Sequence, residues 1–179
     1  MQQTINLILD LDDVLIHNPT SGSSEENDFF NKMIYSIADS FGYTYTVPAY
    51  FSEFMRYVNT YYNISFFSSG NIKRNKSVIN DIWMKVFNEN TPNNIIILSG
   101  TDTIYAEDND DIQPIIKYKG EKKPIMWFGN KKKDITKIGE LHNTILVDDD
   151  RSWILKDQVK NFLYVNGSSF WKMKSFITY

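Results

Sequence analysis

Leu7-Ile8-Leu9-Asp10-Leu11-Asp12-Asp13-Val14-Leu15-Ile16-His17 decides how this chain of 179 residues is read. The apolar run over 5–9 has the uninterrupted character of a buried strand, and it stops at two carboxylates one residue apart. In an open parallel sheet, ligands bind in the crevice beyond the carboxyl ends of the strands. Side chains alternate along a strand, so Asp10 and Asp12 are expected to point the same way into that crevice. Two acids so close repel each other, and either a cation lies between them or one keeps its proton. A hard divalent ion with oxygen ligands, Mg²⁺ above all, suits the first alternative.

Working outward, the length fits one domain over 1–179 with a real core, and 42% hydrophobic and 15% aromatic residues argue for a packed globule. A net charge of −3 gives no bulk attraction to nucleic acid or acidic lipid. No apolar stretch approaches the ~20 residues of a membrane span, and the first strand begins where a signal peptide would stand. Cysteine is absent, which excludes disulfides, Cys-ligated zinc and thiol nucleophiles and fits a reducing, intracellular compartment. The weight of Asn, Ile, Lys and Tyr suggests an AT-rich genome. An intracellular bacterium or a virus would fit, and with it an effector acting in a host cytoplasm.

A polar loop over 18–27 follows the first strand. Phe30, Met33, Ile34, Ile37 and Phe41 keep helical spacing, with Gly42 where a C′ residue belongs. Pro48 opens a second helix with Phe51, Phe54, Met55, Val58 and Tyr62 on its apolar face. Residues 64–67 form a strand ended by Ser68-Ser69-Gly70, and a third helix carries Ile79, Ile82, Trp83, Val86 and Phe87. Residues 91–124 read as a small β-rich insertion, with strands at 95–98, 103–106 and 115–116, and a core strand follows near its end at 125–128. The acidic knot at 107–111 lacks a flanking strand or glycine pattern and reads as a solvated loop. A helix with Ile135, Ile138 and Leu141, a strand over 144–147 ended by Asp148-Asp149-Asp150, a helix over 153–159 and a strand over 162–165 complete the alternation. That alternation is the mark of a three-layer α/β fold around a central parallel sheet.

Three apolar strands thus end in polar residues, Asp10/Asp12, Ser68 and Asp148/Asp149, and Lys133 precedes the element feeding the third. Aligned in one parallel sheet, they converge at one edge as a phosphoryl-handling set. An ionised Asp10 can attack phosphorus to give an aspartyl-phosphate. Asp12 can protonate the leaving oxygen and then deprotonate water. Ser68, with Ser69 as its alternative, can hold a phosphoryl oxygen, and Lys133 can offset charge.

These residues carry a resemblance. Asp10-Leu11-Asp12-Asp13-Val14 resembles the first motif, DxDx(T/V), of the haloacid dehalogenase superfamily. Ser68 resembles its second motif, Lys133 its third and Asp148-Asp149 its fourth. Within the superfamily, the run from Asp10 to His17 is similar to the DLDETLVH of the NLI-interacting-factor-like, C-terminal-domain protein phosphatase branch. The Pro48-led helix and Lys133-Asp134-Ile135 also resemble that branch. The resemblance implies a Rossmann-like fold without a large cap. It implies Asp10 as nucleophile and Mg²⁺ ligand, and Asp12 as general acid/base that offers its backbone carbonyl to the metal. Asp149 would be the fourth-motif ligand, oriented by Asp148. The branch has Arg before the proline of its Pro-led helix, where this chain has Val47. Residues 95–99 mimic the second motif, but Ser68 has the right preceding helix. His17 reads as a structural histidine.

The function implied is a Mg²⁺-dependent phosphatase acting on a phosphorylated protein or peptide, at Tyr or at Ser/Thr. A nucleotide or small-metabolite phosphatase is the alternative, and a non-catalytic phospho-binding module is the alternative of another class.

Overall fold

The computed structural model describes residues 4–17, 36–48, 50–106, 115–118, 121–124 and 131–165. At its centre is a five-stranded sheet of β1 (Asn6–Leu9), β4 (Asn63–Phe67), β5 (Ile97–Leu98), β10 (Thr144–Asp148) and β11 (Phe162–Tyr164). The strand order is β11-β10-β1-β4-β5, and every pair is parallel. The chain leaves β1 for β4 and β5 on one side and returns to β10 and β11 on the other. Order therefore reverses about β1, where an open α/β sheet forms its ligand crevice. Leu9 is in register with both Phe66 and Val147, so Asp10 comes level with the ends of β4 and β10.

Strand alternation sorts the apolar residues onto two faces. Leu7, Leu9, Ile64, Phe66 and Val147 pack with two helices, α1 (Phe51–Tyr61) and α2 (Ile72–Phe87). Ile8, Phe67 and Leu146 turn to the other face, against Ile135 and Ile154. In α1, Phe51, Met55 and Val58 are buried at helical spacing, and Glu53 complements the positive end of the helix dipole. Asn71 caps α2 by accepting from the Lys73 N–H, and the helix stops where Asn88 turns left-handed at φ 60°.

Two elements expected as helices are short 3₁₀ turns. Ile135–Lys137 and Leu141–Asn143 replace the helix before β10, and Arg151–Trp153 and Lys156–Asn161 replace the one after it. Side-chain caps set their starts: Asp134 accepts from the Thr136 N–H and Asp150 from the Ser152 N–H. Their apolar residues still cover the sheet.

The helix expected over 30–41 fails where the structure describes it. Ser36–Ala38 is strand β2, paired antiparallel with β3 (Thr44–Thr46). The turn chemistry overrides the helical spacing. The Asp39 carboxylate accepts from the Phe41 and Tyr43 N–H groups, and Gly42 takes φ 88° inside the turn instead of closing a helix. Residues 30–35 lie outside the described residues, as do the 18–27 loop and the acidic knot at 107–111.

The insertion also begins later than expected. Ile97–Leu98, assigned above to the insertion, is the fifth strand of the central sheet beside Phe66 and Phe67. The core strand expected at 125–128 lies outside the described residues. Two antiparallel pairs follow β5: β6 (Ile104–Tyr105) with β9 (Lys131–Lys132), and β7 (Ile115–Tyr118) with β8 (Glu121–Pro124). No described helix is long and apolar enough to cross a membrane.

Candidate active site

The backbone after β1 fixes the first acids. The Asp10 N–H still bonds Val147 O at 3.0 Å, continuing the ladder to β10. The chain then folds tightly, with the Leu15 and Ile16 N–H groups both on Leu11 O at 2.9 Å. Leu11, Val14, Leu15 and Ile16 are buried, and they anchor the loop from within. Asp13 takes φ 59°, a left-handed conformation that Asp tolerates better than most residues. His17 bonds Asp13 at 2.5 Å through Nδ1, and its backbone pairs with Thr46 of β3, in keeping with a structural histidine.

Asp10 and Asp12 do not share one cation. Asp10 is buried, and its Oδ1 lies 2.6 Å from Lys133 Nζ. The same ammonium donates to Asp148 Oδ2 at 2.5 Å. Lys133 is only 1% exposed and lies between the rings of Phe67 and Trp153. Its backbone N–H is fixed on Trp153 O at 2.6 Å. Asp149 is half-buried beside them, and one oxygen from each of Asp10, Asp148 and Asp149 falls within 4.8 Å of the others.

Charge in this cluster is unbalanced. Three carboxylates face one ammonium, which leaves two negative charges when all are ionised. Burial pushes Asp10 up to about 8, Lys133 pulls it down, and Asp148 pushes it further up. Burial, then Asp148 and Asp13, push Asp149 up to about 7. Burial works to lower Lys133, but Asp10 and Asp148 outweigh it and hold the ammonium above the usual lysine range. A divalent cation on the three oxygens would balance the cluster, and carboxylate oxygens are the donors that Mg²⁺ prefers. Asp10, Asp148 and Asp149 are therefore the residues that fit a metal.

Asp12 is turned outward, about half exposed, and meets Arg74 of α2. The guanidinium grips it with both Nη atoms, Nη1 to Oδ2 at 2.9 Å and Nη2 to Oδ1. Ser68 Oγ donates to the same Oδ2 at 3.2 Å. Ser68 is held in turn by Asn75, whose buried amide donates to the carbonyls of Ser68, Gly70 and Leu98 at 3.3–3.4 Å. Gly100 lets the loop after β5 approach, since a Cβ there would run into the Ser69 carbonyl.

The six residues expected from sequence thus gather at one sheet edge, in two adjoining groups. Ser68, and not Ser69, makes the contact to Asp12. Ser99, the mimic, is buried and spends its hydroxyl on Asp102 and Thr101. Arg74 and Asn75 were not anticipated. The only signal for them is position: both fall in the first turn of the helix that opens just after Ser68, where a side chain can reach back to the strand end.

A parallel α/β sheet with clustered acids, a lysine and a hydroxyl at its carboxyl edge defines a phosphoryl-handling protein. The model of the NLI interacting factor-like phosphatase family matches residues 5–168, and the chain belongs to that family of haloacid dehalogenase-type phosphatases. Its fold is similar to that of the fission yeast RNA polymerase II CTD phosphatase Fcp1, solved as an R271A variant bound to beryllium fluoride. That match has TM-score 0.50 and 17% identity, over 90% of this chain and 41% of the other. A second Fcp1 structure matches with TM-score 0.49 and 18% identity over the same shares. The chain thus spans less than half the length of these solved proteins. A search of curated proteins found no match.

Proposed function

We propose that this phosphatase is Mg²⁺-dependent, works through an aspartyl-phosphate on Asp10, and acts on phosphorylated protein side chains. The observation that carries the reading is the buried Asp10–Lys133–Asp148 bridge, with contacts of 2.6 and 2.5 Å, at the end of β1. It holds a nucleophile candidate in a fixed place beside a cation, which lowers the entropy and charge cost of attack.

Asp10 attacks phosphorus, and the bond from phosphorus to the ester oxygen breaks. Asp12 gives its proton to the departing oxygen, then takes a proton from the water that attacks phosphorus and releases Asp10. Lys133 offsets charge on the phosphoryl oxygens and on Asp10 throughout. Asp10 and Asp149, with the Asp12 carbonyl, would hold Mg²⁺ and Asp148 would orient the set; the ion would further neutralise developing charge.

The substrate class rests on openness. Asp12 is about half exposed, and beside Ser69 and Gly70 a cleft of about 390 Å³ opens toward Thr101, Thr103, Tyr105 and Lys131. Among the described residues no cap stands over this edge, so a polypeptide side chain can enter it. Fcp1, an RNA polymerase II CTD phosphatase, gives that reading a precedent.

The test is hydrolysis of an aryl phosphate with and without Mg²⁺ by the wild type and Asp10→Asn, followed by phosphopeptides against free nucleotides. Metal-dependent turnover lost by a factor of about 10³ or more in the variant is expected. Full activity in Asp10→Asn would sink the mechanism, and much faster turnover of nucleotides would sink the protein substrate.

A further inference from the structure

Arg74 has no role in the reading above, yet it makes the only two-pronged side-chain ion pair among the described contacts of the site. Its side chain is 11% exposed and prepositioned from several directions. The guanidinium stacks over the Tyr45 ring at 4.9 Å, Nε reaches the Tyr45 hydroxyl at 3.4 Å, and Nη1 also meets Asn75 Oδ1 at 3.2 Å. Tyr45 is itself tied down by donating to Asp39 at 2.9 Å. A guanidinium fork built into the wall in this way matches any anion that offers two oxygens, carboxylate or phosphoryl alike.

Ser68 supplies the second half of the argument. Its hydroxyl accepts from the Gly70 N–H at 3.3 Å and donates to Asp12. Ser68 and Arg74 therefore converge on a single anion. That anion is at present the half-exposed carboxylate of Asp12, which can swing outward. Asp12 lies two residues from Asp10, and Ser68 follows the strand bonded to β1, so the seat adjoins the proposed nucleophile.

We propose that Arg74 joins Ser68, already expected to hold a phosphoryl oxygen, in the seat for the substrate's phosphoryl group, and that Asp12 occupies this seat until a phosphoryl group displaces it. The proposal rests on the phosphatase reading and deepens it. Arg74 becomes a substrate-binding residue that also holds Asp12 back at rest. Arrival of the phosphoryl group displaces the Asp12 carboxylate, which takes up a proton from solvent once parted from Arg74 and then faces the leaving oxygen as its acid.

The test is calorimetric titration of the Mg²⁺-containing protein with inorganic phosphate, for wild type, Arg74→Ala, Arg74→Lys, Asp12→Asn and the Arg74→Ala/Asp12→Asn double variant. Circular dichroism checks each fold, and Arg74→Lys keeps the experiment decisive should Arg74→Ala unfold. Arg74→Ala is expected to weaken phosphate by roughly 10- to 100-fold, with Arg74→Lys between it and wild type. Asp12→Asn is expected to tighten phosphate, because the resident carboxylate is gone, and to do so far less when Arg74 is also absent. With aryl phosphate, Arg74→Ala raises KM more than it lowers kcat. Phosphate affinity within about twofold of wild type in Arg74→Ala, or weaker binding in Asp12→Asn, overturns the seat. A wild type that fails to bind phosphate overturns it as well. A wild type that binds phosphate as described but shows no turnover contradicts the phosphatase mechanism and leaves the seat standing.

Discussion

The two halves of the site solve opposite problems. On the β10 side, Asp10, Asp148 and Lys133 are buried and bonded at 2.5–2.6 Å, with more negative charge than their one ammonium balances. On the β4 side, Asp12 and Arg74 form a balanced pair whose acid is about half exposed. The first half is rigid and short of positive charge, as suits a fixed nucleophile with a place for a cation. The second is neutral and open, as suits exchange of one anion for another. Two carboxylates one residue apart acquire different environments because β1 ends between two different neighbours.

The comparison breaks most visibly at Lys133. Replacing it with Met leaves Asp10 and Asp148 buried without their cation, which costs about 3–5 kcal/mol and abolishes turnover. Urea unfolding in the presence of a chelator measures this. A loss under ~1 kcal/mol, typical of exposed pairs, would show that the buried half is not buried in solution.

Next in size is Asn75→Ala. It removes the amide that ties Ser68 and Gly70 to Leu98, and should cost about 1–3 kcal/mol. The open half should loosen while the Lys133 bridge persists, so kcat falls but Mg²⁺ affinity holds. Mg²⁺ affinity falling in step with kcat would show that the halves are one unit.

A third test concerns pH. Asp10 and Asp149, raised by burial to about 8 and about 7, bind protons more tightly folded than unfolded. Their ionisation therefore lowers the stability of metal-free protein as pH rises from about 4 through 8, with stability fullest at the acid end of that window. Mg²⁺ competes with those protons, so the Tm gain on adding it should be larger near pH 8 than near pH 5. Equal gains would contradict the assignment of a metal to this half.

Much of the buried half was legible in the sequence because burial leaves a pattern. An apolar run that stops at Asp10, and another that stops at Asp148, mark strand ends, and parallel pairing brings strand ends together. Ser68 was legible for the same reason. Arg74 was not, because with Lys73 and Lys76 as neighbours it looks like the solvated face of an amphipathic helix. An arginine is expected before Pro48, where Val47 stands, and no local rule marks a cation arriving six residues after Ser68. The β2–β3 hairpin was missed because Ile37 and Phe41 fit a helical spacing. The Asp39 and Gly42 turn, legible only as turn chemistry, overrides it. The fifth core strand escaped because Ile97–Leu98 is two residues long and abuts the insertion.

The most direct test of the central claim is to quench the Mg²⁺-loaded enzyme in acid during turnover, reduce with borohydride and map the product by peptide mass analysis. The account predicts a reduced aspartyl-phosphate at Asp10 and nowhere else, and none in Asp10→Asn. A modification at Asp12 or Asp148, or steady turnover with every aspartate unmodified, would contradict it.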